Sequence, residues 1–171
     1  PAQRIKAARE MAKVMVSRTD LAEPLRCLAS NPICGPDYLP LHSVNVAIFS
    51  MLLHASLGTP HDQTLAIVAA TLLHDIGMTA VTRDIIVKKD VLSPAEFSAI
   101  KRHTVIGREM VDAPGDLREF AVAFAGNHHE RIDKSGYPGG TDMISDHVRL
   151  LGFLDAYEAL THDRPQRAAY S

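Results

Sequence analysis

Five of the nine histidines, His42, His74, His103, His128 and His129, stand at helix ends or interrupt apolar helical faces, as do Asp75 and Asp155. Ionisable groups set among aliphatic side chains cost several kcal/mol unless they are paired, hydrogen-bonded or bound to a metal. Imidazoles mixed with carboxylates suit borderline transition ions such as iron, manganese or zinc better than calcium or magnesium alone. The absence of cysteine from the set argues against a closed structural zinc site. Seven ligands are too many for one ion and fit two, with Asp75 bridging them and positions left for water and substrate. A pair of ions about 3.5–4 Å apart suits hydrolysis of a phosphate ester, because it activates water and clamps the phosphoryl oxygens. His54, His61, His147 and His162 are assigned to the surface or to local hydrogen bonds.

The elements that position these groups are helical. Leu65–Leu73 is almost wholly aliphatic or alanine, so it reads as a buried helix too short to span a membrane. It delivers His74-Asp75 to the floor of a core. The plainer alternative for that dipeptide is a helix C-terminus with Gly77 as its left-handed cap. Ile5–Val16 has the period of an amphipathic helix, and Asp20-x-x-Glu23 reads as a capping box. A proline-rich loop runs from Asn31 through Pro40, and His42 then opens a strong helix ended by Gly58. Ser93-Pro94-Ala95-Glu96 caps a helix leading to His103, Asp116-x-x-Glu119 starts one ending at His128-His129, and Ser145 starts a last one carrying Asp155. Between Arg131 and Met143 glycine, proline and charge dictate an exposed turn-rich loop. With no alternating strand pattern, the fold class is all-α.

At 171 residues, 46% hydrophobic and 22% charged, the chain is one ordinary domain. A net charge of −2 excludes binding of long nucleic acid through a general basic field. Cys27 and Cys34 lack metal or redox spacing and read as free thiols in a reducing cytosol. No signal peptide or spanning helix is read from the sequence, and the chain reads as a piece of a longer protein.

The order H…HD…H…HH…D, with Gly136-Tyr137-Pro138 after the double histidine, resembles the HD-GYP family of cyclic di-GMP phosphodiesterases within the HD superfamily. The likeness covers about Leu41 to Arg167. It is carried by the segments around His42, by Leu73-His74-Asp75-Ile76-Gly77, by Lys101-Arg102-His103 with Gly107, by His128 to Pro138, and by Leu154 to Thr161 with Arg164-Pro165-Gln166-Arg167.

The resemblance implies an HD-domain-like helical bundle with a glycine-rich GYP loop, divided into N-terminal helices and linker at 1–36 and the phosphohydrolase domain at 37–171, truncated at its C-terminal end. It implies two divalent ions, iron or manganese foremost, with zinc, nickel or magnesium as substitutes. His42, His74, Asp75 and Asp155 would hold one, and Asp75, His103, His128 and His129 the other. Arg164 and Arg167 would clamp phosphate oxygens, and Tyr137 would shape the nucleotide pocket. Cyclic di-GMP would be hydrolysed to pGpG, to GMP, or to both, in the cytoplasm. The loop would also dock partner signalling domains, and a homodimer and an added regulatory or sensor domain are expected. The alternative is a catalytically weak module that binds cyclic di-GMP or docks other proteins.

Three departures qualify the likeness. The family's lysine after His-Asp-x-Gly is Met78 here, which removes a cation from a developing phosphoryl charge. That leaves a slow enzyme, another nucleotide, or a cation borrowed from Lys88, Lys89 or Lys134. A Glu that holds a third metal in some members is Tyr38 here, beside Asp37, so two metals are expected. Lys134 replaces the usual glycine before Ser-Gly-Tyr-Pro, adding charge to the loop.

Overall fold

The protein is described from a computed structural model, whose described residues are 2–18, 38–162 and 169. The expected capping box at Asp20 and Glu23 lies outside them, as do Asp37, Arg164 and Arg167. Eight α-helices occur among the described residues, with no strand: α1 Ala2–Ser17, α2 Tyr38–Ser56, α3 His61–Thr71, α4 Arg83–Ile86, α5 Pro94–Lys101, α6 His103–Met110, α7 Gly115–Asn127 and α8 Asp146–Thr161. A 3-10 helix, Ile76–Ala80, lies between α3 and α4. The all-α expectation holds.

α3 is the central rod. Ala66 through Thr71 are all buried, so the helix is enclosed by α1, α2 and α7 on its several faces. α1 lays Ile5, Ala8 and Ala12 against it. Phe124, Ala121 and Ala125 of α7 and Leu151 of α8 complete the core. α2 is long and apolar enough to cross a membrane, which the sequence reading had not recognised. Its buried face also carries His42, Asn45, Ser50 and His54, and it packs against α3 and α8, as a core helix does.

Pro40, expected in the preceding loop, instead sits in the first turn of α2, where a missing N–H breaks no intrahelical bond. α3 ends at Thr71, two residues short of expectation, and tight turns carry the chain through His74. Gly77 is no left-handed cap. A Cβ there would meet the His103 carbonyl oxygen at 1.9 Å and the Gly107 amide nitrogen at 2.6 Å, so the 3-10 helix packs backbone to backbone against α6. That contact sets Asp75 beside His103. Ser93 and Glu96 form the expected reciprocal capping box at α5, and Ser145 caps α8.

Candidate metal centre

Three of the histidines stand at helix ends, and each ring adds a side-chain hydrogen bond to a carbonyl in the last turn of α3, α5 or α7, alongside the backbone N–H that also reaches Thr71 and Phe124. Nδ1 of His74 lies 2.7 Å from the Thr71 carbonyl, Nδ1 of His103 2.7 Å from that of Ile100, and Nδ1 of His128 2.7 Å from that of Phe124. Donating there fixes the tautomer and turns each Nε2 lone pair inward.

The lone pairs of His103 and His128 converge on one place, and that of His74 faces the second ligand group. His103 Nε2 and His128 Nε2 approach to 3.3 Å, two acceptors facing each other when both rings are neutral. Asp75 joins them, with Oδ1 at 3.2 Å from His103 Nε2 and 3.5 Å from His128 Nε2. Its other oxygen lies 3.6 Å from His74 Nε2 and 3.8 Å from His42 Nε2. Ligand atoms of Asp75, His103, His128 and His129 form one tight group, and those of His42, His74 and Asp75 a second, sharing Asp75. Asp155 spans both, at 3.1 Å from His42 Nε2 and 3.7 Å from His129 Nδ1. All seven residues singled out in the sequence are thus brought together. His74 Nε2 is buried with no hydrogen-bond partner among the described residues. An orphaned imidazole nitrogen aimed at carboxylates and other imidazoles fits a cation, and the donor set fits two.

His42 is held differently. Its Nδ1 bonds Glu158, which is fully buried and also accepts from Tyr38 Oη at 3.0 Å and Asn45 Nδ2 at 3.0 Å. This carboxylate orients the ring so that Nε2 faces the aspartates. The sequence reading missed it. Tyr38, His42 and Asn45 recur at helical spacing on one face of α2, and Glu158 lies one turn beyond Asp155 on α8, which was the available signal. Tyr38 is committed to this network and stacks on His42.

The electrostatics divide the rings. Burial works against charging His42, but hydrogen bonds to Asp155 and Glu158 outweigh it and raise its pKa from 6.5 to about 9. Burial opposes charge on His103 too, and the bond to Asp75 wins, raising it. Burial lowers His74 to about 4, and burial with the neighbouring His128 lowers His129 to about 2. Asp75 and Asp155 resist the upward push of burial and stay well below the usual carboxylate range because imidazoles surround them.

The cluster forms part of the wall of a cleft of about 1050 Å³, at the upper end for a small-molecule site. Met78 lines this cleft, half-buried, and is no core side chain. Of the three lysines expected to stand in for it, Lys88 is tied to Glu96 at 2.8 Å and Lys134 pairs with Asp142 at 3.3 Å, while Lys89 lines the cleft. Arg131 lines it as well. Lys134 takes φ 64, the left-handed conformation in which glycine is favoured. Glu130, within the His128–Pro138 segment but given no role there, is buried and accepts from the Gly139 and Thr141 amides at 2.6 and 3.0 Å, tying the loop back. Tyr137 packs 4.6 Å from His129, ring centre to ring centre. Of the four histidines set aside, His61 is exposed, but His54 and His162 are buried, each held by a local bond rather than lying on the surface.

A family model described as "HD domain" matches residues 37–171. The chain is 34% identical over 137 residues to a cyclic di-GMP phosphodiesterase of Pseudomonas aeruginosa, covering 79% of this chain and 33% of that protein. It is 34% identical over 134 residues to the 3'3'-cGAMP-specific phosphodiesterase 3 of Vibrio cholerae, covering 77% and 29%. It is 28% identical over 142 residues to a cyclic di-GMP phosphodiesterase of Borreliella burgdorferi, covering 82% and 37%. The chain therefore spans about a third of the length of the curated relatives it matches.

Proposed function

The chain belongs to the HD domain family, in its HD-GYP branch, and from that membership we propose that it is a metal-dependent phosphodiesterase opening the ring of cyclic di-GMP. The observation that carries this reading is the pair of ligand groups sharing Asp75, with helix-end carbonyls fixing the imidazoles.

His42, His74, Asp75 and Asp155 would hold one ion, and Asp75, His103, His128 and His129 the other. When bound, two divalent ions supply Lewis-acid activation of water and neutralise charge on a phosphoryl group. Iron and manganese are the ions this nitrogen-rich set favours in our reading, with zinc, nickel or magnesium as substitutes.

The residues of the chain do the rest. Glu158 and Asn45 keep His42 in place, and Glu130 keeps Tyr137 beside His129. Arg131 and Lys89 bring positive charge to the cleft, where Arg164 and Arg167 are proposed to join them on the phosphates. Product would be pGpG, with GMP as the further product. Partner docking through the loop, a homodimer, a regulatory domain and a cytoplasmic setting belong to the same reading. The weak-binding alternative is not favoured, since the whole ligand set converges.

Incubating the metal-replete protein with cyclic di-GMP and with 3'3'-cGAMP, and separating the products by chromatography, tests the proposal. Linear dinucleotide or mononucleotide from cyclic di-GMP is expected. Tight binding of two metals with neither substrate cleaved would overturn it.

A further inference from the structure

The metal cluster accounts for only part of the cleft. The segment from α4 to α5 builds an apolar wall, with Val87, Val91, Leu92, Phe97 and Ile100 among its lining residues. Apolar side chains on such a wall remain open to solvent: Val91 is 93% exposed and Phe97 46%. A half-exposed phenylalanine in a cleft that also presents metal ligands is not serving the core. Lys101 Nζ stands 4.7 Å from the centre of the Phe97 ring and 5.2 Å from that of Tyr137, so these two aromatic side chains of the cleft share one ammonium. Tyr137 in turn packs on His129. The metal ligands, Tyr137, Lys101 and Phe97 thus form one continuous run from the ion-binding floor to the apolar wall.

A phosphodiester at the floor leaves the flat, weakly polar bases of a dinucleotide to be accommodated elsewhere in the cleft. Bases stack on aromatic side chains and on apolar surface, and each stacked base contributes appreciably to affinity. We infer that Phe97 is a nucleobase-stacking position, taking a purine of the cyclic dinucleotide against the wall of Val87, Val91 and Leu92. The inference rests on the phosphodiesterase reading above for its ligand.

The test compares the parent with Phe97→Ala and Phe97→Trp. The affinity of cyclic di-GMP for chelator-treated protein is measured by calorimetry, KM and kcat with metal-replete protein, and inhibition by inorganic phosphate as a base-free probe. Phe97→Ala is expected to raise both Kd and KM about tenfold or more, leaving kcat, metal content and phosphate inhibition within about twofold of the parent. Phe97→Trp, which keeps a stacking surface, should restore most of the affinity. An unchanged Kd and KM in Phe97→Ala would overturn the inference, as would an equal loss of phosphate inhibition or of metal, which would make the ring a prop for the cleft. A parent that binds cyclic di-GMP through Phe97 but cleaves none would sink the phosphodiesterase reading and leave the stacking position standing. A parent that cleaves it with no dependence on Phe97 would do the reverse.

Discussion

An imidazole is a ready metal ligand when its second nitrogen is already committed, and here the commitments are visible one by one. His74, His103 and His128 spend Nδ1 on carbonyls in the last turn of the preceding helix, whereas His42 spends it on Glu158. Asp75 is the residue shared by both ligand groups, whereas Asp155 approaches them only through His42 and His129. Asp75→Ala should therefore lose both metals, while His42→Ala and His103→Ala each lose one; metal content per folded chain checks this, and two metals retained in the aspartate variant would refute the bridge. Met78 presents a thioether to the cleft where a cation would meet developing charge. Met78→Lys should raise kcat for cyclic di-GMP by about tenfold, and more than it raises affinity, because the charge is greatest in the transition state. Single-turnover rates beside melting temperatures separate this from simple destabilisation, and a stable, metal-replete variant no faster than the parent would rule the idea out.

At the scale of elements, the site depends on how closely the 3-10 helix approaches α6. A methyl group on Gly77 has no room against the His103 backbone, so Gly77→Ala should force the two apart, at a cost of about 1–3 kcal/mol or more, and lower metal content with it. Thermal melts and metal analysis read both effects. The start of α5 offers a test by pH. Hydrogen bonds from Lys88 and then from the Ser93 backbone and side chain depress Glu96 from 4.5 to about 2. Its ionised form is thus preferred in the folded state, so its stabilisation is full above the unfolded pKa and is lost as pH falls through about 2. Glu96→Gln should melt below the parent at pH 7, and the gap should close between about pH 4.5 and 2; a gap independent of pH would assign the effect to packing.

Across the whole molecule, the ligands come from α2, the turns after α3, the start of α6, the end of α7 and the middle of α8. Ions bound at their meeting point therefore tie most of the bundle together. Ligand that binds only the folded state stabilises it by ~2.7 kcal/mol at a hundredfold excess over Kd, which for a chain of this size corresponds to about 5–11 °C in melting temperature. Melting the metal-replete and chelated proteins side by side checks this, and coincident transitions would contradict a site shared among those elements.

Much of this was legible in the chain. The aliphatic run before His74, the capping box at Ser93 and the glycine-rich stretch after His129 are local signals, since propensity and capping act within a few residues. The seven metal-ligating candidates were legible for a related reason: polar groups in apolar settings need a partner, wherever the partner lies. What the sequence could not supply was the partner's identity. Glu158 meets His42 across 116 positions, Lys89 differs from Lys88 only by which of them Glu96 captures, and Gly77 looks like a cap until His103 is found against it. Each of these was decided by which surfaces the packed helices bring within a few ångströms, and helix packing depends on the whole core at once rather than on the spacing of any one segment.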